Sequence, residues 1–270
     1  MKSPAFARLG LLLLAGLSCL GYLYLEAQGQ RPAKDATAER AEGIVRKSLA
    51  AYGGESKSLS FQNATLDYQI ESMGDSASKP LQVKAYLKGA DFFRSDVVGE
   101  KSNTITILNH DKGWIKIDDT VLSLSKKNLG PLKVEVISQL RPDLLLLSFQ
   151  KFRYHGRTEE EGHKLDEVDV SGFLGGEYTR GRLSFDLSTY LVYKYEFESE
   201  RESASGKGIF HGKSVYLKYD EMEGLRIPVE IVASQGAKVS KITVKQVDLK
   251  TVLDPGIFAD PLPPSPEQKK

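Results

Sequence analysis

The sequence contains a single cysteine, Cys19, which lies within its first 29 residues. Residues 30–270 hold none, and this excludes a disulfide framework and a cysteine metal site from that part of the chain. A chain of this length buries about 70–75% of its unfolded surface when it forms one core. The fold therefore needs no covalent or metal support.

The chain also lacks an excess of charge of either sign. Of 37 basic and 36 acidic residues, the first 29 residues contribute Lys2, Arg8 and Glu26, which leaves 35 of each sign. Domains that bind nucleic acid usually carry a marked basic excess. The charge balance gives no support for a nucleic-acid partner, and none is expected.

Motifs that carry catalysis are equally scarce. No Gly-x-Ser-x-Gly nucleophile elbow occurs, and Glu196 and Glu198, two residues apart, fit the solvent face of a strand. None of the four histidines follows a metal-ligand spacing such as HExxH, so each is interpreted as a surface residue: His110, His155, His163 and His211. We therefore expect no enzymatic activity, no cofactor and no metal.

What the chain does contain is an apolar segment at its N-terminus. A basic start precedes an uncharged run at residues 9–25, and the small residues Ala27 and Gly29 follow. This order is typical of a signal peptide at residues 1–29, with a mature N-terminus near Gln30.

Two alternatives to cleavage concern the same segment. The apolar run has 17 residues, against roughly 20 needed to span a bilayer, so an uncleaved inner-membrane anchor stays open. Lipidation at Cys19 is disfavoured because the apolar run continues past it and no aliphatic lipobox residue precedes it. In either case the rest of the chain is expected to work outside the cytoplasm, in the periplasm.

After Gln30 the spacing of apolar residues predicts first a helix and then strands. Apolar residues repeat at helical spacing from about Thr37 to Tyr52, and Gly53 and Gly54 end the helix. From Ala64 onward the period is two, which is typical of antiparallel strands with one dry face.

Roughly ten strands are predicted, interrupted by helical segments near 132–140 and 143–149. The second segment contains Leu144–Leu147 and is too apolar to face water. A sheet with that many strands curls. Helices on its concave side would make a single α+β domain over residues 30–260, followed by a disordered tail at 261–270.

The predicted dry face and the leucine-rich segment enclose the predicted ligand site. The spacing of the candidate cavity residues places them on the same side of their element as the neighbouring apolar residues. They are Leu66, Tyr68, Ile70, Leu81, Val83, Leu87, Leu144, Leu146, Tyr193, Tyr195 and Phe197. Two interpretations of this layer stay open: a ligand cavity under a lid that moves aside, or an ordinary core that the helices complete.

Several segments, taken in order, resemble the periplasmic carriers of outer-membrane lipoproteins. They are AAYGGESKSLS, KGADFFRSDV, the HDKGW hairpin, LSFDLSTYLVYKYEF, LKYDEMEGLRIPVEI and ITVKQVDLKTVLDPGIF. The resemblance covers about residues 40–260 and implies an unclosed antiparallel barrel with helices lidding a hydrophobic cavity. Within it, Arg94 looks like the family arginine that ties the lid to the sheet, and Trp114 looks like the aromatic residue after the hairpin glycine.

The resemblance also implies a function. It predicts a non-enzymatic periplasmic carrier that binds the acyl chains of lipoproteins or other lipids and serves outer-membrane biogenesis, with membrane-bound proteins as further partners. The alternative is an envelope sensor or protein-interaction module of the same fold, whose cavity is filled by its own side chains. An uncleaved anchor would speak against a carrier, because a tethered protein does not diffuse between membranes.

Overall fold

The computed structural model describes residues 35–61, 63–74, 79–89, 91–100, 102–174, 177–203 and 206–261. The predicted export segment at 1–29 lies outside these ranges, as does the predicted tail apart from Pro261. Within the described ranges, no helix combines the length and the apolar character needed to cross a bilayer.

One antiparallel sheet of 13 strands forms the body of the molecule. The strands are β1 (Asn63–Ser72), β2 (Leu81–Lys88), β3 (Phe92–Val98), β4 (Asn103–Asn109), β5 (Lys112–Ile117), β6 (Thr120–Ser123), β7 (Lys151–Glu160), β8 (His163–Leu174), β9 (Glu177–Asp186), β10 (Val192–Ser203), β11 (Gly206–Met222), β12 (Leu225–Gln235) and β13 (Lys238–Asp248). Their order across the sheet is β6-β5-β4-β3-β2-β1-β13-β12-β11-β10-β9-β8-β7, and in the described part of the chain the edge strands β6 and β7 do not pair. The barrel is therefore unclosed, as predicted.

Helices cover one face of this sheet, called the inner face below. They are α1 (Ala36–Tyr52), α2 (Glu55–Ser60), α3 (Lys126–Leu140) and α4 (Pro142–Ser148), and a 3-10 helix follows at Pro255–Phe258. Helices α3 and α4 connect the two edge strands, and α1 and α3 contact strands on both sides of β11. This arrangement confirms the predicted α+β fold class, a curved sheet with helices over its concave face.

Helix α1 forms where the apolar spacing predicts it. Asp35 caps its start by accepting a hydrogen bond from the backbone N–H of Thr37 at 3.0 Å. Gly53 ends it with a φ of 121°, a value that favours glycine. The buried face contains the apolar residues predicted from the spacing: Ala41, Ile44, Val45, Leu49 and Tyr52.

Contacts at both ends attach α1 to the second half of the sheet. The hydroxyl of Tyr52 accepts from the N–H of Val192 at 3.3 Å and lies 2.9 Å from the hydroxyl of Tyr219. Tyr219 in turn donates to the carbonyl of Val192 at 2.7 Å. Burial raises the pKa of both phenols above the ordinary value, so both stay neutral donors. Near the start of the helix, Arg40 donates to the hydroxyl of Tyr154 at 2.8 Å.

The sheet has more strands than the alternation predicts, and β3 shows why. Phe93 of β3 lies in the main core, the cluster of buried apolar side chains between helices and sheet. Phe92 instead packs against a smaller core on the outer face, formed by Ile107, Trp114, Leu253 and Phe258. A strand that is covered on both faces shows no simple polar–apolar alternation.

Asp186 organises the turn between β9 and β10. Its carboxylate accepts hydrogen bonds from the backbone N–H groups of Ser188 (2.9 Å) and Thr189 (3.0 Å) and from Nδ1 of His163 (2.7 Å). Burial alone would raise the pKa of Asp186, but hydrogen bonds from Ser188, His163 and Thr189 outweigh it and lower the pKa to about 2.

Asp186→Asn should therefore lower the free energy of unfolding by about 2 kcal/mol at pH 7 and by much less at pH 2. A carboxyl whose pKa is depressed in the folded state stabilises the fold above its ordinary pKa, near 3.8. That contribution is lost as the pH falls toward 2. Urea unfolding of both proteins at pH 7 and pH 2 measures the effect, and an equal difference at the two pH values would contradict it.

Candidate ligand-binding cleft

Most residues predicted to line a cavity lie together in the main core. The buried members are Leu66, Tyr68, Val83, Leu87, Leu144, Leu146, Tyr195 and Phe197, and Ile70 packs at the edge of the same cluster. Leu81 is a correction, because its side chain at the start of β2 is 39% exposed. The first strand position after an irregular connection does not have to follow the burial pattern of the strand interior.

Tyr193 is a second correction. The pairing of β9 with β10 shifts register between Val192 and Lys194, and Val192 enters the main core instead of Tyr193. Tyr193 stacks on His163, with ring centroids 4.6 Å apart, and donates to Glu161 at 3.2 Å. A bulge of one residue is enough to change the side of the sheet that a side chain meets.

The leucine-rich segment, for which a movable lid and an ordinary core were both left open, packs within the main core. Helix α4 buries Leu144, Leu145 and Leu146 almost completely. A pocket of about 450 Å³ lies at its margin, where Leu144 and Leu147 line it together with Leu59 of α2. The layer between α4 and the sheet is thus occupied largely by the protein's own side chains.

Among the residues that the structure describes, the hydrogen-bond partners given for Arg94 lie away from the helices over the inner face. Its Nε donates to Asp96 at 2.8 Å, and its Nη1 donates to the carbonyl of Ile257 at 3.2 Å. These partners place Arg94 beside the smaller core, where it holds the C-terminal 3-10 helix. Along β3 it alternates with Phe93, and so it lies on the opposite face from the main core.

Arg141, between α3 and α4, makes hydrogen bonds that tie the helices over the inner face to one another. Its guanidinium donates to both carboxylate oxygens of Asp143, at 2.9 and 2.7 Å. It also donates to the carbonyls of Phe61 (2.6 Å) and Ser58 (3.2 Å), which ties α2 to the α3–α4 junction. Arg141 is 1% exposed. In the sequence, the signal for this role of Arg141 is the junction Arg141-Pro142-Asp143 between two apolar helical segments.

A cleft of about 980 Å³ lies between the first turns of α1 and strands β7 to β12. Ala38 and Glu42 line it from the helix. From the strands, the apolar and glycine residues are Phe152, Val170, Gly181, Phe197 and Gly212, and Gly236 lines the cleft from the turn after β12. Its volume falls at the upper end of the range of about 300–1,000 Å³ that is usual for ligand pockets.

The strand register explains how the floor of this cleft is built. Phe152 pairs with Val170, Val170 with Gly181, Gly181 with Phe197, and Phe197 with Gly212. Cross-strand partners share a face, so these residues form one row across five strands. A Cβ atom at Gly212 would lie 2.3 Å from Cζ of Phe197. Glycine at this position is what allows the ring of Phe197 to lie against the sheet.

Aromatic contacts connect the floor of the cleft to the main core. Tyr195 and Phe197 stack with centroids 5.2 Å apart, and Phe149 lies 6.0 Å from Tyr195 and 6.5 Å from Phe152. A Cβ atom at Gly181 would lie 2.8 Å from Cε2 of Tyr195. The rings pack against one another and against the two glycines. The floor is therefore apolar and pre-formed.

Several charged residues that line the cleft are joined in ion pairs. Arg182 donates to Asp169 at 2.8 Å, and Arg180 lies 2.7 Å from Glu198. Burial alone would raise the pKa of Asp169, but hydrogen bonds from Arg182 and His155 outweigh it and lower the pKa. Along their strands these charged residues alternate with the residues of the apolar row, so their side chains lie on the opposite face of the sheet, although both sets line the cleft.

Most cleft residues are not apparent from the sequence pattern. Phe197 is the predicted cavity residue that lines the cleft, whereas Phe152, Val170 and Ala38 were not singled out. The available signal was glycine inside a strand, which often marks a close approach of a ligand or another group. Among the residues that the structure describes, no three His, Cys, Asp or Glu side chains are grouped so as to hold a metal ion.

Fold and cleft together describe a half-barrel whose inner face is covered by helices and opens at one side. No family model and no curated protein sequence matches the chain.

Solved structures with this fold are known. A LolA superfamily protein from Nitrosomonas europaea has a TM-score of 0.56 at 16% identity, covering 82% of this chain and 97% of that one. An outer membrane lipoprotein-sorting protein domain from Vibrio parahaemolyticus has a TM-score of 0.54 at 12% identity, with the same coverage. A DUF1329 family protein from Desulfovibrio piger has a TM-score of 0.53 at 10% identity, covering 81% of this chain and 97% of that one.

This chain therefore has the fold of lipoprotein-sorting proteins of the LolA superfamily. The resemblance noted in the sequence is confirmed at the level of the fold.

Proposed function

We propose that this chain is a non-enzymatic carrier of the cell envelope that binds the acyl chain of a lipoprotein or another lipid in the cleft at α1. The observation that carries the proposal is the cleft of about 980 Å³ with its apolar row from Phe152 to Gly212. The fold shared with lipoprotein-sorting proteins supports it. So does the uncharged run at residues 9–25, which is typical of an exported protein.

In the proposed complex the acyl chain lies along the row of Phe152, Val170 and Phe197. Burial of one methylene is worth about 0.8 kcal/mol, so about a dozen would contribute roughly 10 kcal/mol before ordering costs. The polar head leaves this row and lies where the cleft is lined by the ion pairs of Arg180 and Arg182. Because those cations already have carboxylate partners, they accommodate a polar group without leaving a charge unpaired.

Residues 30–260 act as one domain in this proposal, and the strand pairing supports it. The first strand, β1, pairs with both β2 and the last strand, β13. The two halves of the sheet are thus joined through their most distant segments in sequence, and helix α1 packs against the second half.

Ala38→Trp should weaken binding of a fluorescent fatty acid by about tenfold or more, a change of about 1.4 kcal/mol. The indole would occupy the cleft from the side of α1, where Ala38 lines it. Ala50→Trp is the matched control, because Ala50 is an exposed position of the same helix outside the cleft lining. Equal affinities for the two variants, with equal melting temperatures, would show that the probe binds elsewhere.

The natural ligand is identified by solvent extraction of the purified exported protein and mass spectrometry of the extract. Acyl lipids present in wild type and depleted in Ala38→Trp support the carrier. If wild type yields no lipid and does not bind the fatty-acid probe, the carrier proposal fails. The protein-interaction module of the same fold then becomes the better hypothesis.

A further inference from the structure

Within the described part of the chain, the hydroxyl of Tyr195 is buried and has no hydrogen-bond partner. Tyr195 lies in β10 and is 0% exposed. A buried hydroxyl that stays unpaired costs free energy, and the great majority of buried polar groups in native proteins are hydrogen-bonded. The exception at Tyr195 calls for a partner that the fold itself does not supply.

Three serine hydroxyls among the described residues are also buried without a partner, but their oxygens are freer to move. Rotation about one bond gives a serine oxygen a new position, and in a helix it reaches a carbonyl of the preceding turn. Ser48 and Ser58 lie in helices, and Ser184 has the same rotational freedom in a strand. The oxygen of Tyr195 has no such freedom, because its ring is held by stacking on Phe197 with centroids 5.2 Å apart.

The surroundings of this ring favour a ligand over a resident water. The ring packs beside the aromatic rings of Phe149 and Phe197 and beside the backbone of Gly181. A buried water makes about two to four hydrogen bonds to polar groups around it. An apolar setting of this kind holds a water poorly, whereas a single acceptor oxygen on an apolar ligand needs only the one hydroxyl.

Gly181 places the hydroxyl end of the ring next to the cleft. Tyr195 pairs with Leu183 of β9, and its ring leans along β9 to Gly181. A Cβ atom at Gly181 would lie 2.8 Å from Cε2 of Tyr195, and Cε2 is bonded to the carbon that carries the hydroxyl. Gly181 and Phe197 both line the cleft. Glycine within a strand often marks a site where a ligand approaches closely.

A neutral donor at this place suits the carbonyl oxygen of an acyl group. Burial raises the pKa of Tyr195 above its ordinary value, so the hydroxyl keeps its proton and donates. In the proposed complex the acyl chain lies along the row that contains Gly181, and the head lies near Arg180 and Arg182, the residues on either side of Gly181. The carbonyl group that joins chain to head therefore comes close to Gly181 and to this hydroxyl.

We infer that Tyr195 is a specificity-determining residue of the cleft, whose hydroxyl donates a hydrogen bond to the carbonyl oxygen of a bound acyl group. The inference rests on the proposed function and names the part of the ligand that the protein recognises. Because the oxygen is buried in the free protein, the ring moves toward the cleft when the acyl group enters. The free protein keeps this hydroxyl at a cost in stability, and the bound ligand removes that cost.

Tyr195→Phe removes the hydroxyl and keeps the ring. The melting temperature of the free protein should rise by about 2–4 °C, since a buried polar group without a described partner is lost. Tyr216→Phe is the matched control, because the hydroxyl of Tyr216 donates to the carbonyl of Ser138 in the last turn of α3. This control should melt below wild type, since that carbonyl loses its partner, and should bind ligands as wild type does.

Affinity is measured by displacement of a fluorescent fatty acid with dodecanoate, methyl dodecanoate and dodecyltrimethylammonium. Tyr195→Phe should bind the first two about five- to tenfold more weakly than wild type, a change of about 1–1.4 kcal/mol. Dodecyltrimethylammonium has the same chain but no acceptor oxygen, so its affinity should not change. A loss for the ester alone assigns the site to esterified acyl chains, and a loss for dodecanoate alone assigns it to free fatty acids.

The hydrogen bond itself is observed by infrared spectroscopy of bound methyl dodecanoate that is isotopically labelled at its carbonyl. A hydrogen bond lowers the stretching frequency of a carbonyl group. The band should therefore lie at a higher frequency in Tyr195→Phe than in wild type, and Tyr216→Phe should leave it unchanged.

The outcomes separate this inference from the proposed function. If wild type binds no probe, the carrier fails and the inference fails with it. If wild type and Tyr195→Phe bind dodecanoate and its ester equally, the carrier stands but the role of Tyr195 is wrong. An equal loss for dodecyltrimethylammonium would show a change in packing, which also overturns the inference. So would a Tyr195→Phe protein that melts well below wild type with unchanged affinities, because its hydroxyl then has a permanent partner.

Discussion

Arg141→Met should lower the free energy of unfolding by about 3–5 kcal/mol. Arg141 and Asp143 are 1% and 0% exposed, and the substitution leaves the carboxylate buried without its partner. It also removes the donors to the carbonyls of Ser58 and Phe61, which attach α2 to the junction of α3 and α4. Chemical unfolding followed by circular dichroism at neutral pH measures the loss.

The control for this prediction is the double variant Arg141→Met with Asp143→Leu. Removing both charges from a buried pair avoids the unpaired carboxylate, so the double variant should recover much of the stability lost by the single one. Lys79→Met tests a surface pair, since Lys79 and Glu100 are mostly exposed, and it should change little. A double variant no more stable than Arg141→Met would refute the assignment of the loss to the buried charge.

Leu146→Glu should prevent the chain from folding, and Leu146→Ala should cost about 2–5 kcal/mol. Leu146 is 2% exposed and belongs to the main core with its neighbours Leu144 and Leu145. A carboxylate there has no described partner within the apolar layer, and the alanine leaves a cavity in a close-packed site. Thermal melting of both variants, together with fatty-acid titration, measures the effect.

The matched control is Leu59→Glu. Leu59 lies on α2 close to the same helix but is 45% exposed, so the glutamate stays hydrated and the melting temperature should hold. The result also tests the lid hypothesis drawn from the sequence. If Leu146→Glu melts like wild type and only loses affinity for the fatty acid, the segment is a movable lid and not part of the packed core.

Features that depend on neighbours along the chain were predictable. The apolar spacing of α1 and the glycine at Gly53 are local signals, and the structure shows the helix that they predict. The alternation from Ala64 to Ile70 similarly predicts one buried and one wetter face, as β1 has for most of its length. The order of such segments was sufficient for the fold class and for the resemblance to lipoprotein carriers.

Features that depend on pairing between distant segments were not predictable. Whether Tyr193 or Val192 enters the core is decided by a bulge against β9, and Arg94 meets Ile257 only because the C-terminal segment crosses the outer face. Neither the bulge nor the path of the C-terminal segment can be inferred from the spacing of apolar residues in the sequence. Strand propensity and apolar phase do not specify which partner residue lies opposite, and a shift of one residue reverses the faces.

The sequence by itself determined the fold class of this protein, its first helix and most of the residues of its core. These follow from spacing within single elements, where burial of an apolar face is the dominant energy. The tertiary structure alone decided where the cleft lies. Its floor brings Gly181 and Gly212 to either side of Phe197. These glycines leave room for rings only once the register of three strands sets Gly181 against Tyr195 and Gly212 against Phe197.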